Sequence, residues 1–302
     1  MNLLDLKTII ILLSFTTISE SLHIHRNNTN HHKHHAHVRR DGRCEFPHDE
    51  GIVKLASNAH GWAMDNDCTD GSWCQYACPP GQLMGQWNAS VTKYGPGSMD
   101  GGFYCNQGKL EKHVATNKVC YPGKGTASIY NGCSKNVAVC QTVLPGNEAM
   151  LIPTNVNASS SQSLAVPGTD YWAGTASHFY INPPGVSVEE GCVWGSTENP
   201  YGNWSPYVIG FNMDASGNTY AKLGWNPIYF ETTSPFRETK PSFGVTLKCV
   251  DPSKCNGDPC VINPHSIGLN KLNRGGLMSD NAAWCIITAT DYSKVKVEVF
   301  DV

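Results

Sequence analysis

The chain has 302 residues, a net charge of −3 and only 16% charged side chains. That length allows one large domain or two small ones, and the near-neutral balance excludes the basic stripe that nucleic-acid binding calls for. A surface poor in charge and rich in Gly, Asn, Ser, Thr, Tyr and Trp suits a neutral polymer instead.

Taken in chain order, Lys7 is followed by TIIILLSFTTIS, an apolar run of roughly 10–12 residues against the roughly 20 that a membrane span needs. Small residues at Ser19 and Ser21 place cleavage after Ser21, so residues 1–21 read as a secretory signal peptide. No later segment is apolar enough to span, and no hydrophobic tail suggests a lipid anchor, so no membrane attachment is expected after signal removal. Residues 22–40 hold seven of the twelve histidines and almost no apolar side chain. Such a segment buries no core and is expected to be a disordered pro-segment; a metal-binding tract is the competing reading. Val38-Arg39-Arg40-Asp41 resembles a dibasic processing site, which starts the mature chain at Asp41.

All 13 cysteines follow residue 40. In an oxidising compartment they form a disulfide framework, and the odd count leaves one thiol free or paired with another chain. Sequons at Asn27, Asn88, Asn157 and Asn203 permit glycans without requiring them. Residues 41–122 form a first cysteine-dense part, with Cys44, Cys68, Cys74, Cys78, Cys105 and Cys120 among Gly and Pro clusters that punctuate short strands and loops. The stretch YPGKG, residues 121–125, reads as a joint. Residues 123–302 are more strand-like, and 41–302 is compatible with one compact unit. Phe243, Val245 and Leu247 alternate with Gly244, Thr246 and Lys248, and Val295, Val297 and Val299 alternate with Lys296 and Glu298. Both are period-2 patterns with one buried face. ASIYNG, SHFYINPPG, SPYVIGFN and CIITATD are further short runs ending in turn signals. The expected fold is mostly β, a disulfide-rich sandwich with little helix and a cysteine-rich N-terminal part.

Several chemistries are unsupported. Cys68-x5-Cys74-x3-Cys78 lacks the paired short spacings of a structural zinc site, so no metal is expected. There is no Gly-x-Ser-x-Gly elbow, no His-Glu-x-x-His and no dinucleotide fingerprint, so no cofactor is implied. Carboxylates and aromatics remain. Glycoside hydrolysis commonly uses two carboxyl groups, one of them kept protonated. Between GTDYW and FNMD lie Glu190 and Asp170, ranked first as catalytic candidates, then Glu189, Asp214 and Glu198. Tyr171, Trp172, Trp194, Trp204 and Tyr207 lie among them as candidate sugar-binding rings, because aromatic faces pack on sugar C–H faces while a polar edge stays wet. The competing reading assigns those rings to a sandwich core and Glu189-Glu190 to a solvated turn. A glycan on Asn203 would block approach, in which case Trp204 packs inward.

The stretches CEFPHDEGIVKL, GWAM, WCQYACPPGQLMGQW, MDGGFYCNQGKL, YWAGTASHFYINPPGVSVEEGCVWG and NPYGNWSPYVIGFN resemble the fungal SUN family of secreted cell-wall proteins, in particular its second group. The resemblance covers essentially all of residues 44–302. The family's cysteine signature, a close run of three and a distant fourth, falls on Cys68, Cys74, Cys78 and Cys105, with a slightly longer last gap. The resemblance implies a secreted or wall-retained protein acting in septation and wall remodelling, with β-1,3-glucan as partner and a glucosidase-type activity; it supplies no catalytic residues. IYNGCSKNVAVCQT, residues 129–142, is similar to thaumatin-like proteins, which are disulfide-rich β-sandwiches. Three functions stay open: a β-glucan hydrolase, a non-catalytic glucan binder, and a structural wall protein crosslinked through the odd cysteine.

Overall fold

The computed structural model describes residues 42–302 except 49, 57–59, 96–98, 147–149, 258, 275–276 and 280. The expected signal peptide, the His-rich segment and the Asn27 sequon lie outside the described residues. Eighteen strands account for nearly all regular structure. Most are two to five residues long, as expected of a chain interrupted every few residues by Gly, Pro and Asn.

The first part holds β1 (Trp73–Cys74), β2 (Gln82–Met84), β3 (Phe103–Asn106), β4 (Lys109–Glu111) and β5 (Cys120–Pro122). β1, β3 and β4 form a three-stranded sheet, and β2 pairs with β5. With so little sheet to bury, this part is stapled: Cys44–Cys105, Cys68–Cys74 and Cys78–Cys120 are disulfides. Their sulfurs join Trp62, Tyr76 and Phe103 in one cluster. The Cys44, Cys68 and Cys105 sulfurs lie within 4.8 Å of one another, but as disulfides they offer no thiolate to a metal.

Two larger sheets follow. The five-stranded sheet has the order β15 (Cys260–Ile262), β13 (Phe243–Cys249), β18 (Val295–Asp301), β6 (Ala127–Asn131), β9 (Ser161–Leu164). The eight-stranded sheet runs β14 (Cys255–Asn256), β17 (Ala282–Ala289), β12 (Thr219–Trp225), β11 (Tyr207–Met213), β10 (Ser177–Ile181), β7 (Val137–Gln141), β8 (Ile152–Val156), with β16 (Leu277–Ser279) also on β17. The alternating valines of β18 and the Phe243, Val245 and Leu247 row of β13 face the same core as Ile209, Phe211, Leu223 and Ile287 from the other sheet. This is the expected disulfide-rich sandwich. Three more disulfides lie in this half: Cys140–Cys192, Cys249–Cys255 and Cys260–Cys285. Cys133 is the free cysteine, and it is buried.

The two sheets differ on their outer faces. On the five-stranded sheet, Glu298 accepts from Lys248 and Lys296, both at 2.8 Å, an ordinary solvated charge ladder. The eight-stranded sheet instead turns rings, amides and one buried cation outward. Among the described residues, helix is limited to α1 (Val188–Gly191) and short 3-10 turns. The Ser187 hydroxyl caps α1 by accepting from the Glu190 N–H at 3.2 Å. α1 lies against β7 and β8, where Val188 joins Ala138, Cys140, Leu151 and Tyr180. The Cys140–Cys192 bond fixes the end of α1 there. One side of the outer face is therefore covered, and the strands from β10 to β17 are left partly open.

Candidate functional site

Strand alternation builds the open part. Phe179 and Ile181 of β10 point into the core, so His178 and Tyr180 point out. The same rule turns Asn212 of β11, Tyr220 and Lys222 of β12, and Trp284 of β17 outward. Register then sets these side chains in rows across the sheet. His178 pairs with Gly210, Gly210 with Lys222, and Lys222 with Ile286. The next row runs Tyr180, Val208, Gly224, Trp284. His178 and Lys222 thus flank Gly210 across roughly 10 Å, and the strand between them contributes no side chain in that row.

Each group is held. The Thr142 Oγ1 and His178 Nδ1 atoms lie 3.3 Å apart. The His178 ring meets Tyr180 edge-on at 4.9 Å. Lys222 is buried at 8% exposure, with Nζ 3.6 Å from the centre of the Trp284 ring. Lys222 is buried and Trp284 is half-exposed, with the ring lying over the ammonium. Gly224 makes this possible, since a Cβ there would come within 2.8 Å of the Trp284 Cβ. Burial, reinforced by the Lys222 charge, pushes His178 down to about 4, so its imidazole is neutral at neutral pH. The Asn212 Oδ1 is buried with no hydrogen-bond donor.

One end of this face, the candidate crevice, is bordered by the loop through residues 193–205. The Asn182 Oδ1, just past β10, accepts from the Gly202 N–H at 2.9 Å, and the Asn226 Nδ2, just past β12, donates to the Asn203 and Ser205 carbonyls at 2.6 and 2.8 Å. This loop carries Trp194 and Trp204. A Cβ at Gly195 would lie 2.8 Å from the Trp204 ring, so Trp204 packs onto the bare backbone beside Trp194. Trp194 is 43% exposed and Trp204 is half-buried. At the other end the β11–β12 hairpin holds Asp214. From Val208 to Asp214 the face runs roughly 20 Å along the strand.

The structure separates the other expected rings from this surface. Tyr207 is fully buried, donates its hydroxyl to the Phe243 carbonyl at 2.8 Å and packs against Trp225 and Phe243 at 4.9 Å. Its odd position in β11 points it into the core. Tyr171 is buried and donates to the Leu144 carbonyl. Trp172 is buried at 2% exposure and donates its indole N–H to the Val91 carbonyl at 2.8 Å. None of these three offers a free face to a sugar. The Asn203 sequon is buried at 6%, and its Oδ1 accepts from the Gly195 N–H at 2.6 Å.

The five carboxylates are scattered, with only Glu189 and Glu190 sharing an element. Asp170 is exposed and paired with Lys124 at 3.1 Å, while Glu189 and Glu190 are exposed on α1. Glu198 is exposed; hydrogen bonds from Thr197 and Ser196 hold its carboxyl below the usual range. Asp214 accepts from the Ser216 and Asn218 N–H groups, the Asn218 amide and the Tyr220 hydroxyl, at 2.9–3.0 Å. Partial burial pushes this carboxyl up, but those hydrogen bonds outweigh it and hold it low. Both displaced acidities favour the ionised form.

Sequence reasoning missed His178, Lys222, Asn212 and Trp284. The available signal was the polar half of the alternation in SHFYI, YVIGFN and TYAKLGW, which becomes one surface only when β10, β11, β12 and β17 are known to be neighbours.

Comparison with known proteins settles the family. The family described as Beta-glucosidase (SUN family) matches residues 39–287. This chain belongs to the SUN family. A SUN-family relative in Saccharomyces cerevisiae, Uncharacterized protein YMR244W, is 52% identical over 280 residues, covering 89% of this chain and 79% of that protein. Probable secreted beta-glucosidase adg3 of Schizosaccharomyces pombe is 47% identical, covering 85% of this chain but 23% of adg3. Probable secreted beta-glucosidase UTH1 of Saccharomyces cerevisiae is 37% identical, covering 70% of this chain and 60% of UTH1. The chain thus spans less than two thirds of the two named beta-glucosidases. Like adg3 and UTH1, both named as probable secreted proteins, the protein is secreted. Among solved structures, the protein elicitor MoHrip2 from Magnaporthe oryzae and the thaumatin-like xylanase inhibitor TLXI match at TM-scores of 0.33 and 0.32, each at 12% identity and each covering 58% of this chain and 98% of the matched chain. Those scores add nothing to the two-sheet topology described above.

Proposed function

We propose that this SUN-family protein binds β-1,3-glucan along the outer face of its eight-stranded sheet and acts in cell-wall remodelling and septation. The observation that carries this reading is the single outer face on which Tyr180 and Trp284 share one row, neutral His178 stands on the next, and Asn212 and Tyr220 pair beyond it. Half-exposed rings with polar edges suit sugars, whose rings stack and whose hydroxyls need both donors and acceptors. The family description and the names of adg3 and UTH1 support a glucan-type substrate. The test is co-sedimentation of the purified protein with insoluble β-1,3-glucan. Trp284→Ala is expected to weaken retention about tenfold, the scale of one lost aromatic contact. A protein that stays in the supernatant, or a Trp284→Ala variant retained as well as the parent, would overturn the reading.

A second reading, hydrolysis, is favoured by the beta-glucosidase family description. On that reading the acids come from Glu190, Asp170, Glu189, Asp214 and Glu198. The lowered pKa values of Asp214 and Glu198 suit a base or nucleophile and not the protonated acid. Each residue is replaced in turn by its amide and sugar release from β-1,3-glucan is measured; release unchanged in all five variants refutes this placement.

A further inference from the structure

The stretch WCQY, prominent in the sequence, takes no part in the crevice. In the cysteine-rich part, Cys74, Phe103 and Cys105 face the disulfide cluster, so the alternate residues of that three-stranded sheet face out. These are Trp73, Tyr104, Asn106, Lys109 and Glu111, with His113 just beyond β4. Trp73 pairs across the sheet with Tyr104, and Tyr104 with Glu111. The Trp73, Tyr104 and His113 rings form a triangle with centroids 4.9–5.5 Å apart. Trp73 and Tyr104 are half-exposed, and His113 and Asn106 are exposed. The Asn106 amide donates to Glu111 at 2.8 Å, and the His113 Nε2 lies 3.5 Å from the other Glu111 oxygen. The outward side of so short a sheet ordinarily carries polar residues. Here it carries rings edged by an amide, an imidazole, the Glu111 carboxylate and the Lys109 ammonium, so the two formal charges on its strands balance. That composition fits a neutral polyhydroxylated strand and fits a strongly charged polymer poorly.

We infer that this face is a second glucan-binding site, so that one molecule holds two strands or two segments of one strand. The inference rests on the glucan reading of the crevice, and the two are separable by stoichiometry. The probe is a soluble β-1,3-linked glucohexaose, titrated calorimetrically into the mature chain. Two sites per chain are expected, falling to one in Trp73→Ala and to one, the other, in Trp284→Ala. Because Trp73 also braces the sheet, the doubly substituted Asn106→Ala, His113→Ala chain, altered only at exposed positions, serves as the fold-safe variant; it is expected to weaken the second site about tenfold with an unchanged melting temperature. One site in the parent, lost only with Trp284→Ala, overturns this inference and leaves the crevice reading intact. Two sites that persist in both the Trp73→Ala chain and the double variant also overturn it. No binding at all overturns both readings.

Discussion

At His178, burial and the ammonium of Lys222 act in the same direction, taking the imidazole from its ordinary value near 6.5 down to about 4. Between those two values the unfolded chain binds more protons than the folded one, so stability falls as pH drops through that window. This contribution is complete above about pH 6.5, with no further loss from this group below about pH 4. Urea midpoints measured from pH 7 to pH 4 should fall for the parent, and His178→Gln should flatten that part of the profile. Asp214 is shifted in the same direction: its contribution is present above the ordinary carboxylate range and is lost as pH falls from that range through its depressed folded value. Two other residues give direct chemical readouts. Asn203, buried and bonded to Gly195, should carry no glycan in a glycopeptide map of the secreted protein. Burial and then the Asp301 carboxylate push the Cys133 thiol up to about 12. Native protein should therefore resist alkylation at Cys133 and react only after unfolding. The same burial disfavours wall crosslinking through this thiol.

At the scale of elements, alternation was the legible signal. β13 and β18 lie where Phe243, Val245, Leu247 and the three valines placed them, and they are neighbours in the sheet. GTDYWAGTAS, with no cap or helical period, forms only the 3-10 turn Trp172–Gly174. The β11–β12 hairpin closes around Asp214, whose carboxylate substitutes for backbone partners through the turn. Asp214→Ala should lower stability by about 1–2 kcal/mol in chemical denaturation, because the Ser216 and Asn218 donors lose their acceptor. The candidate crevice was only half legible. Trp194 and Trp204 were named from composition and lie together at one end, whereas Tyr207 and Trp172 were indistinguishable by composition from surface rings. Whether an aromatic faces in or out depends on strand parity, and parity depends on where each strand begins.

Over the whole molecule, the disulfides stay within residues 44–120 or within 140–285, yet the packing does not stop at the joint. Leu83 belongs to the sandwich core, with Trp87 and Tyr121 packed against it. The Trp172 indole reaches back to Val91. Such a shared core predicts one cooperative transition, with near-UV ellipticity and tryptophan fluorescence melting together; two separated transitions would mark residues 41–122 and 123–302 as independent. Replacing Cys140 and Cys192 by Ala should cost about 2–4 kcal/mol of stability. It should also weaken glucan retention, because that bond fixes the segment covering one side of the crevice.

The sequence by itself determined the compartment, the oxidised cysteines, the β class and the family, because a short apolar run, cysteine count, alternation and contiguous motifs are all local patterns. It did not determine which cysteines pair: the signature run divides among Cys44–Cys105, Cys68–Cys74 and Cys78–Cys120. Nor did it place His178 two strands from Lys222 with Gly210 between them. Those relations are between residues distant along the chain, and only the register of paired strands, set by burying one face of each sheet, brings them together.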